Sequence, residues 1–370
     1  MFSIPLTRDT FFKKVNEMDL FEGGNLQIGE ITADHIDFTK VSRSSVVSFL
    51  KKLCRSINKV SGFKIFGDDI TSLLNGSSSF SLSNDYSDEQ IINVKPRMGD
   101  IDMMVSEEYK SILSKLLKEP TSFDGIAYLG GKLNNAGSQF NGIFRFNETG
   151  LNIQIDFEFV EFDGDKPNEF YKFSHSSTYD DMLLKIKGVH HKLLLRAVTR
   201  AVSLLPNVVI ATEKSTPNSI KISTSIVHQN PASYRFSVDK GLRINAYEPM
   251  LDAEGKQVYY EGKVVLKANK PSDQNFIRNV DTISQLLFGK VTKDIKTFSG
   301  LVRIISTLPL STKRFIASTY FNLLWGVNGQ HIYRDDTEDF NSKIPAWELL
   351  CKTLKINSSV KTIEDVKYFY

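Results

Sequence analysis

Cysteine is scarce in this sequence, and a strong net charge and long apolar runs are missing. Two cysteines among 370 residues exclude a disulfide framework or a cysteine-built metal site and favour a reducing compartment. The 46 Lys and Arg against 43 Asp and Glu leave a net charge of +3, far below that of a dedicated nucleic-acid-binding domain. No apolar run approaches membrane-spanning length, and the N-terminus lacks an apolar core and a cleavage signature. We therefore expect a cytoplasmic protein without a membrane partner.

The rest of the composition is that of a folded globular protein, with 41% hydrophobic and 24% charged residues. A chain of 370 residues is long enough for two or three packed units. The apolar spacing predicts an α+β fold. We expect a mixed-sheet core over residues 1–170, a unit of one long helix followed by strands over residues 171–272, and a helical unit over residues 273–370.

Local patterns predict the order of elements in the first unit. The spacing of Val46, Phe49, Leu50, Leu53 and Ile57 predicts an amphipathic helix with Ser44 or Ser45 as its N-cap. The later elements are a strand at "FKIF", a Ser-, Asn- and Asp-rich loop over residues 73–90, a strand at "DIDMMV", a helix over residues 106–119, and two half-buried strands, residues 142–146 and 151–162, joined by the turn "NETG".

Three aspartates stand out on the predicted strands. Asp100 and Asp102 alternate with apolar residues and share one face of their strand. Such a pair is often only a solvated face, and when buried it leaves one carboxyl protonated unless a divalent cation is bound. Asp156 interrupts the apolar run "IQIDFEF", where a charge is costly unless it is paired or metal-bound. Three carboxylates on neighbouring strands would suit a two-metal site for phosphoryl transfer, with Mg²⁺ or Mn²⁺.

The motifs "GSSSF" (residues 76–80), "GDIDMMV" (99–105) and "IQIDFEF" (153–159) together resemble the signature of the DNA polymerase β-like nucleotidyltransferase superfamily, which has phage-encoded members. The resemblance covers about residues 44–165. It implies that Gly76, Ser77 and Ser78 hold triphosphate oxygens, that Asp100 and Asp102 ligate both metals, and that Asp156 ligates the catalytic metal and helps to activate the attacking hydroxyl. The segment "FGDD" (66–69) is the alternative phosphate loop.

A basic stripe is predicted on the long helix over residues 180–205. Lys185, Lys192, Arg196 and Arg200 are spaced by seven, four and four residues, so they would share one helix face. The stripe is either a solvated face with packed stems or a cationic wall that binds the nucleotide triphosphate or an acceptor phosphate. On the second interpretation, Lys185, Lys192 and Arg196 are nucleotide-binding residues.

Weaker patterns leave further alternatives open. His190 and His191 are adjacent, so on a helix they point in different directions and cannot form a two-histidine metal site by themselves. Lys95 and Arg97 precede the paired acids and could reach phosphate, although exposed loop charges are expected there. The segment "YRFSVDKGLRI" (234–244) mixes aromatic and basic residues, which suits single-stranded nucleic acid or an ordinary edge strand pair.

The expected activity follows from the acids and the resemblance. We expect an enzyme that moves NMP from an NTP such as ATP to an acceptor hydroxyl on an RNA end, a protein or a small molecule, with RNA or tRNA as a partner. One alternative is a catalytically silent nucleic-acid- or protein-binding module on the same fold. The other is a toxin-type nucleotidyltransferase that modifies tRNA or a protein.

Overall fold

The computed structural model describes residues 26–175, 177–216, 219–227, 231–237, 240–268, 276–325 and 337–355. These residues fall into two compact units, the first drawn from Met1–Val189 and Asp335–Ala346 and the second from His190–Arg334 and Trp347–Tyr370. Both contain helices and strands, and the α+β class predicted from the sequence is confirmed.

The helices of the described residues are α1 (Arg43–Ser61), α2 (Gly76–Ser81), α3 (Asp88–Val94), α4 (Lys110–Leu116), α5 (Glu169–His175), α6 (Tyr179–Leu183), α7 (Gly188–Val202), α8 (Val280–Phe288), α9 (Phe298–Ser306), α10 (Leu310–Trp325) and α11 (Thr337–Leu354). The strands of the first unit are β1 (Gln27–Ile28), β2 (Ile31–Thr32), β3 (Ile36–Asp37), β4 (Arg97–Met98), β5 (Asp100–Ser106), β6 (Thr121–Phe123), β7 (Ile126–Leu133), β8 (Gln139–Phe146), β9 (Leu151–Val160), β10 (Phe162–Asp163) and β11 (Lys166–Pro167).

The first unit is built on a five-stranded sheet in the order β5-β9-β8-β7-β6. Strands β5 and β9 run parallel, and the other neighbouring pairs are antiparallel. Alternation fixes the faces, because successive side chains of a strand point to opposite sides. The apolar residues of one face, which include Ile101, Met103, Ile155 and Phe157, are fully buried.

Helix α1 covers the apolar face of this sheet. The Cys54 Sγ atom lies 3.7 Å from the Met103 Sδ atom, and the Phe49 and Phe146 rings are 4.8 Å apart. Burial of these side chains stabilises the unit by roughly 1.5–3 kcal/mol for each large apolar residue. The N-cap of α1 is Ser42, whose side chain accepts from the Ser45 backbone N–H, so the predicted cap lies two or three residues too late.

The sequence predictions for the connecting segments need correction. Residues 63–66 ("FKIF") form no strand, and the predicted loop over residues 73–90 contains α2 and the start of α3. Ser87 caps α3 through a reciprocal pair of hydrogen bonds with Gln90, a local signal that the high Ser and Asn content concealed. Strands β6 and β7 were not predicted.

The second unit contains strands followed by helices, in the predicted order. Its strands are β12 (Val208–Thr216), β13 (Ser219–Val227), β14 (Tyr234–Ser237), β15 (Gly241–Ile244), β16 (Tyr247–Pro249), β17 (Tyr259–Tyr260), β18 (Lys263–Ala268) and β19 (Phe276–Ile277). They form one sheet with the path β13-β12-β18-β16 and another in the order β14-β15-β19. The three-part division of the chain at residues 170 and 272 stays a prediction.

The predicted long helix over residues 180–205 is wrong, because the chain breaks between α6 and α7. Lys185 lies in this break with a φ of 59°, a left-handed conformation that a continuous right-handed helix does not contain. None of the helices that the structure describes combines the length and the apolar character needed to cross a membrane.

Candidate metal centre

The register of two parallel strands brings the three predicted acids together. Asp102 on β5 lies directly opposite Asp156 on β9, and Asp100 lies opposite Gln154. Cross-strand partners project from the same face of a sheet, so all three aspartates point away from the core. One carboxylate oxygen from each of the three lies within 4.8 Å of the others. The grouping depends on this pairing, which the spacing within either strand could not reveal.

Asp156 is held by neighbouring amide side chains. It is 3% exposed, and the Gln154 Nε2 atom donates to its two carboxylate oxygens at 2.9 and 3.1 Å. Gln139 on β8 donates to the Asp156 Oδ2 atom at 2.8 Å. Gln154 is fixed in turn, because its Oε1 atom accepts from the Leu26 backbone N–H at 3.0 Å. The orientation of the Asp156 carboxylate is therefore set by the sheet before any ligand binds.

Crowding of like charges raises the pKa values in the cluster. Burial, followed by the charges of Glu158, Asp100 and Asp156, raises the pKa of Asp102 well above its ordinary value, and Lys95 partly lowers it. Burial and the charges of Asp100 and Glu158 raise the pKa of Asp156 to about 7, against the lowering effect of hydrogen bonds from Gln154 and Asn141. The cluster therefore carries more negative charge than its surroundings balance.

Two charged members of this cluster were missed as site residues. Glu158 shares the face of Asp156, and its Oε2 atom accepts from the Asn75 Nδ2 atom at 2.6 Å; its spacing of two residues from Asp156 was the available signal. Lys95 is 2% exposed, which corrects the expectation of an exposed loop charge; its place just before the paired acids was the available signal. Arg97 is exposed and lies 3.9 Å from Asp37.

The Gly-Ser motif forms the short helix α2 beside the acids. Gly76 begins this helix with a φ of 53°, and a Cβ atom added to it would lie 2.9 Å from the Asp102 Oδ2 atom. The Asn75 backbone N–H donates to the Asp102 carbonyl at 3.1 Å, which fixes the start of the helix on β5. The alternative segment, "FGDD", has a local role, since Asp69 caps the following 3₁₀ turn through Ser72.

The three small residues of the motif differ in what they can bind. Ser77 is half-buried. Ser78 is fully buried, and its hydroxyl accepts from the Asp102 backbone N–H at 2.9 Å and donates to the Asp100 carbonyl at 3.3 Å. The Ser78 side chain therefore positions α2 against the strand that carries both acids. A contribution of Gly76, Ser77 or Ser78 to phosphate binding stays a prediction.

The predicted basic stripe is divided between the two units. Lys185 belongs to the first unit, whereas Lys192 and Arg196 lie on α7 in the second. His190 and His191 are also in the second unit and are buried. The His190 Nδ1 atom is hydrogen-bonded to the Tyr320 hydroxyl at 3.2 Å, and the His191 Nε2 atom donates to the Ile295 carbonyl at 2.8 Å. These bonds give both imidazoles a structural role.

The donor set fits a hard divalent cation. Carboxylate oxygens are the protein ligands that Mg²⁺ and Mn²⁺ prefer, and Asp100, Asp102 and Asp156 supply them from two strands whose backbone is rigidly paired. The raised pKa values of Asp102 and Asp156 show that added positive charge would relieve repulsion there. These three residues are the ones that would hold the cation.

The raised pKa of Asp156 predicts how Mg²⁺ binding, and the stability that it adds, depend on pH. It is raised from 3.8 to about 7, so the folded protein binds the extra proton between these values. Through this group, the metal-free protein loses stability as pH rises across that interval. Mg²⁺ must displace the proton, so its affinity should rise by up to about tenfold per pH unit below about pH 7. Thermal unfolding with Mg²⁺ or EDTA across this range measures the effect; stabilisation by Mg²⁺ that does not grow with pH would contradict it.

A glycine comparison tests the contact between α2 and Asp102. In Gly76→Ala, the left-handed backbone is expected to cost about 1–2 kcal/mol, and the added methyl group displaces the Asp102 carboxylate. Gly62→Ala is the matched control, since Gly62 has a φ of 72° with nothing within 4 Å of its Cβ position. Both variants should lose stability, but only Gly76→Ala should lose Mg²⁺ affinity in calorimetry. Equal Mg²⁺ affinity in the two variants would show that the contact is unimportant.

The geometry is the basis for assigning this centre, because comparison with protein-family models, curated proteins and solved structures finds no match for the chain.

Proposed function

We propose that the protein is a metal-dependent nucleotidyltransferase that moves NMP from an NTP to an acceptor hydroxyl. One observation carries the proposal: Asp100, Asp102 and Asp156 converge within 4.8 Å on paired strands, and the start of a Gly-Ser helix lies against Asp102. The order of these parts along the chain matches the resemblance to the DNA polymerase β-like superfamily. The glycine at the start of α2 leaves room for the Asp102 carboxylate, since a Cβ atom there would lie 2.9 Å from its Oδ2 atom.

The reaction joins an acceptor oxygen to the α-phosphorus and breaks the bond from the α-phosphorus to the oxygen of the leaving pyrophosphate. Bound Mg²⁺ or Mn²⁺ would neutralise the phosphate charge and favour ionisation of the acceptor hydroxyl. Asp100 and Asp102 would hold the cations. Asp156 would hold a cation and accept the hydroxyl proton, in an orientation fixed by Gln154 and Gln139.

The buried charges favour an active enzyme over a silent binding module on the same fold. Asp156 is almost fully buried, and Asp102 has a strongly raised pKa. Each ionised group costs free energy in this position unless a counter-charge compensates it. A module that only binds nucleic acid or protein has no use for buried carboxylates that destabilise its fold. A toxin-type enzyme would use the same centre and differ only in its target.

The decisive experiment is incubation with each of the four radiolabelled NTPs and total cellular RNA, with Mg²⁺, Mn²⁺ or EDTA. Gel electrophoresis that resolves both RNA and protein bands identifies the nucleotide and the class of acceptor. We expect label on one class of acceptor with one NTP, such as ATP, and only when the cation is present. Transfer that persists in EDTA would contradict the metal-dependent mechanism, and absence of transfer to any acceptor would contradict the proposed activity.

A further inference from the structure

A basic cavity of about 280 Å³ lies within the second unit, separate from the aspartate centre. Its walls come from α7, β14 and α10. Arg196 and Arg200 of α7 and Arg235 of β14 line it, and all three are exposed. This volume is close to the lower end, about 300 Å³, of small-molecule sites. The cavity alone therefore has room for one compact anionic group, and a longer ligand must extend over the surface around it.

The charged residues on the three elements that line this cavity are all basic. The sequences of α7, β14 and α10 contain no Asp or Glu, whereas α7 also carries Lys192, and α10 carries Lys313 and Arg314. Solvated helix faces usually mix both signs of charge. Lys192 and Arg200 are eight residues apart on α7, a rise of about 12 Å. That length exceeds a single phosphate group and matches a chain of several phosphates.

Two polar groups near the cavity lack partners within the described part of the chain. Thr199 lies on the cavity wall and is 1% exposed, and its hydroxyl has no hydrogen-bond partner there. Arg235 lies directly opposite Arg243 across β14 and β15, and the Arg243 Nε atom is likewise without a partner. Like charges in this position destabilise a sheet. A bound anion beside Arg235 would remove that cost.

Aromatic side chains accompany the arginines. Tyr234 is half-buried and Phe236 is buried, and both line the cavity. The Arg200 guanidinium lies 5.9 Å from the centre of the Phe315 ring, so the ring supports it. Flat aromatic and guanidinium surfaces stack with nucleobases, and basic residues track the phosphates between them. This combination favours a single strand over a duplex, whose bases are already stacked.

We propose that this cavity, with the basic surface of α7 and α10 around it, binds single-stranded nucleic acid. Guanidinium groups bind phosphates of the strand, and Tyr234 stacks with an unpaired base. Binding to this surface is independent of the aspartate centre. The further step, that the bound strand is the acceptor of the transferred nucleotide, rests on the proposed function.

Binding of labelled oligonucleotides of about 12 residues to the 370-residue chain tests the proposal. Fluorescence anisotropy in EDTA, without NTP, measures affinity for single-stranded RNA, single-stranded DNA and a duplex. The double variant Arg196→Gln/Arg235→Gln should bind a single strand at least about tenfold more weakly near physiological salt. Its log–log salt dependence should be shallower by about 1.4, because two phosphate contacts are lost. Tyr234→Leu should weaken binding about fivefold or more.

The matched control is Lys293→Gln/Lys296→Gln. It removes the same charge from exposed positions of the second unit that do not line the cavity, and it should bind like wild type. Equal losses in the two double variants, or tighter binding of duplex than of single strands, would overturn the proposal. If inorganic phosphate displaces the strand at a concentration similar to that of the strand itself, the proposal is also overturned, since the cavity would then be a simple anion site.

RNA and DNA single strands both offer the phosphates and bases that the proposed site would bind. Comparing their affinities therefore decides which of the two the site prefers. Asp100→Asn/Asp102→Asn should retain full binding, which separates this proposal from the catalytic one. If wild-type protein binds the strand but transfers no nucleotide, the proposed function fails and this inference stands. If it transfers nucleotide but binds no single strand above background, this inference fails alone.

Discussion

Replacing Asp100 and Asp102 together with asparagine is expected to abolish nucleotide transfer while the fold survives. Asparagine keeps the shape of each side chain but removes both negative charges from the pair that would hold the cations. The rate should fall by more than about 10⁴-fold, beyond the 10²–10⁴-fold assigned to one positioned acid or base. Single-turnover rates at saturating NTP and Mg²⁺ measure this loss.

The same double variant should be more stable than wild type in the absence of metal. Burial and the charges of Glu158, Asp100 and Asp156 raise the pKa of Asp102, so removing the charges of Asp100 and Asp102 relieves repulsion in the sheet. An increase in melting temperature of about 2–6 °C in EDTA is expected near neutral pH, and Mg²⁺ should no longer raise it. The pKa of Asp156 should also fall below about 7, because Asp100 contributes to its upward shift.

The matched control for this variant is Asp163→Asn/Asp165→Asn. It removes the same number of charges from two exposed positions, the last residue of β10 and the turn that follows it, outside the aspartate group. Transfer and the response to Mg²⁺ should be unchanged in the control. An unchanged transfer rate in Asp100→Asn/Asp102→Asn would refute the metal centre, and loss of its fold would show that the acids have a structural role instead.

Replacing Asp156 with alanine should separate catalysis from nucleotide binding. The cation that accompanies the triphosphate would still be held by Asp100 and Asp102, so NTP affinity in the presence of Mg²⁺ should remain near that of wild type. Turnover should fall by about 10²–10⁴-fold, because the acceptor hydroxyl loses its activating group. Asp102→Ala, in contrast, should reduce both affinity and turnover.

The competing explanation is that Asp156 only completes a hydrogen-bond network. Its loss leaves the Gln154 and Gln139 amides without their shared acceptor, which would cost about 1–3 kcal/mol of stability with near-normal turnover. Melting temperature, NTP affinity and single-turnover rate on one preparation distinguish the two explanations. Glu158→Gln is a useful comparison, since Glu158 shares this sheet face and is hydrogen-bonded to Asn75. A normal rate with lowered stability in Asp156→Ala would exclude a catalytic role for Asp156.

The strand patterns show how much local sequence could predict. Alternation in "DIDMMV" and "IQIDFEF" identified β5 and β9 and the faces on which the three acids lie, because a strand places every second side chain on one side. Because this rule holds within a strand whatever its neighbours are, it carries no information about strand pairing. It could not show that β5 and β9 are adjacent and parallel, which places Asp102 opposite Asp156.

Helix predictions failed where tertiary contacts outweigh local preference. The motif at residues 76–80 has few helix-favouring residues, yet it forms α2 because the Ser78 hydroxyl and the Asn75 backbone bind β5. The apolar and basic periodicity over residues 180–205 suggested one helix, but the chain turns at Lys185. Since α6 and α7 keep a similar spacing of apolar residues on each side of the turn, periodicity alone did not reveal the break.

The sequence by itself determined the α+β class, the strands that carry Asp100, Asp102 and Asp156, and the Gly-Ser motif before them, because alternation and turn composition act over a few residues. Only the tertiary structure decided which groups meet. Burial of Lys95, the charges of Lys95 and Glu158 beside Asp102, and the grouping of Arg196 with Arg235 around one cavity all depend on contacts between separate elements. Charges interact through space, so the pKa shifts of the centre follow from distances that no local pattern contains.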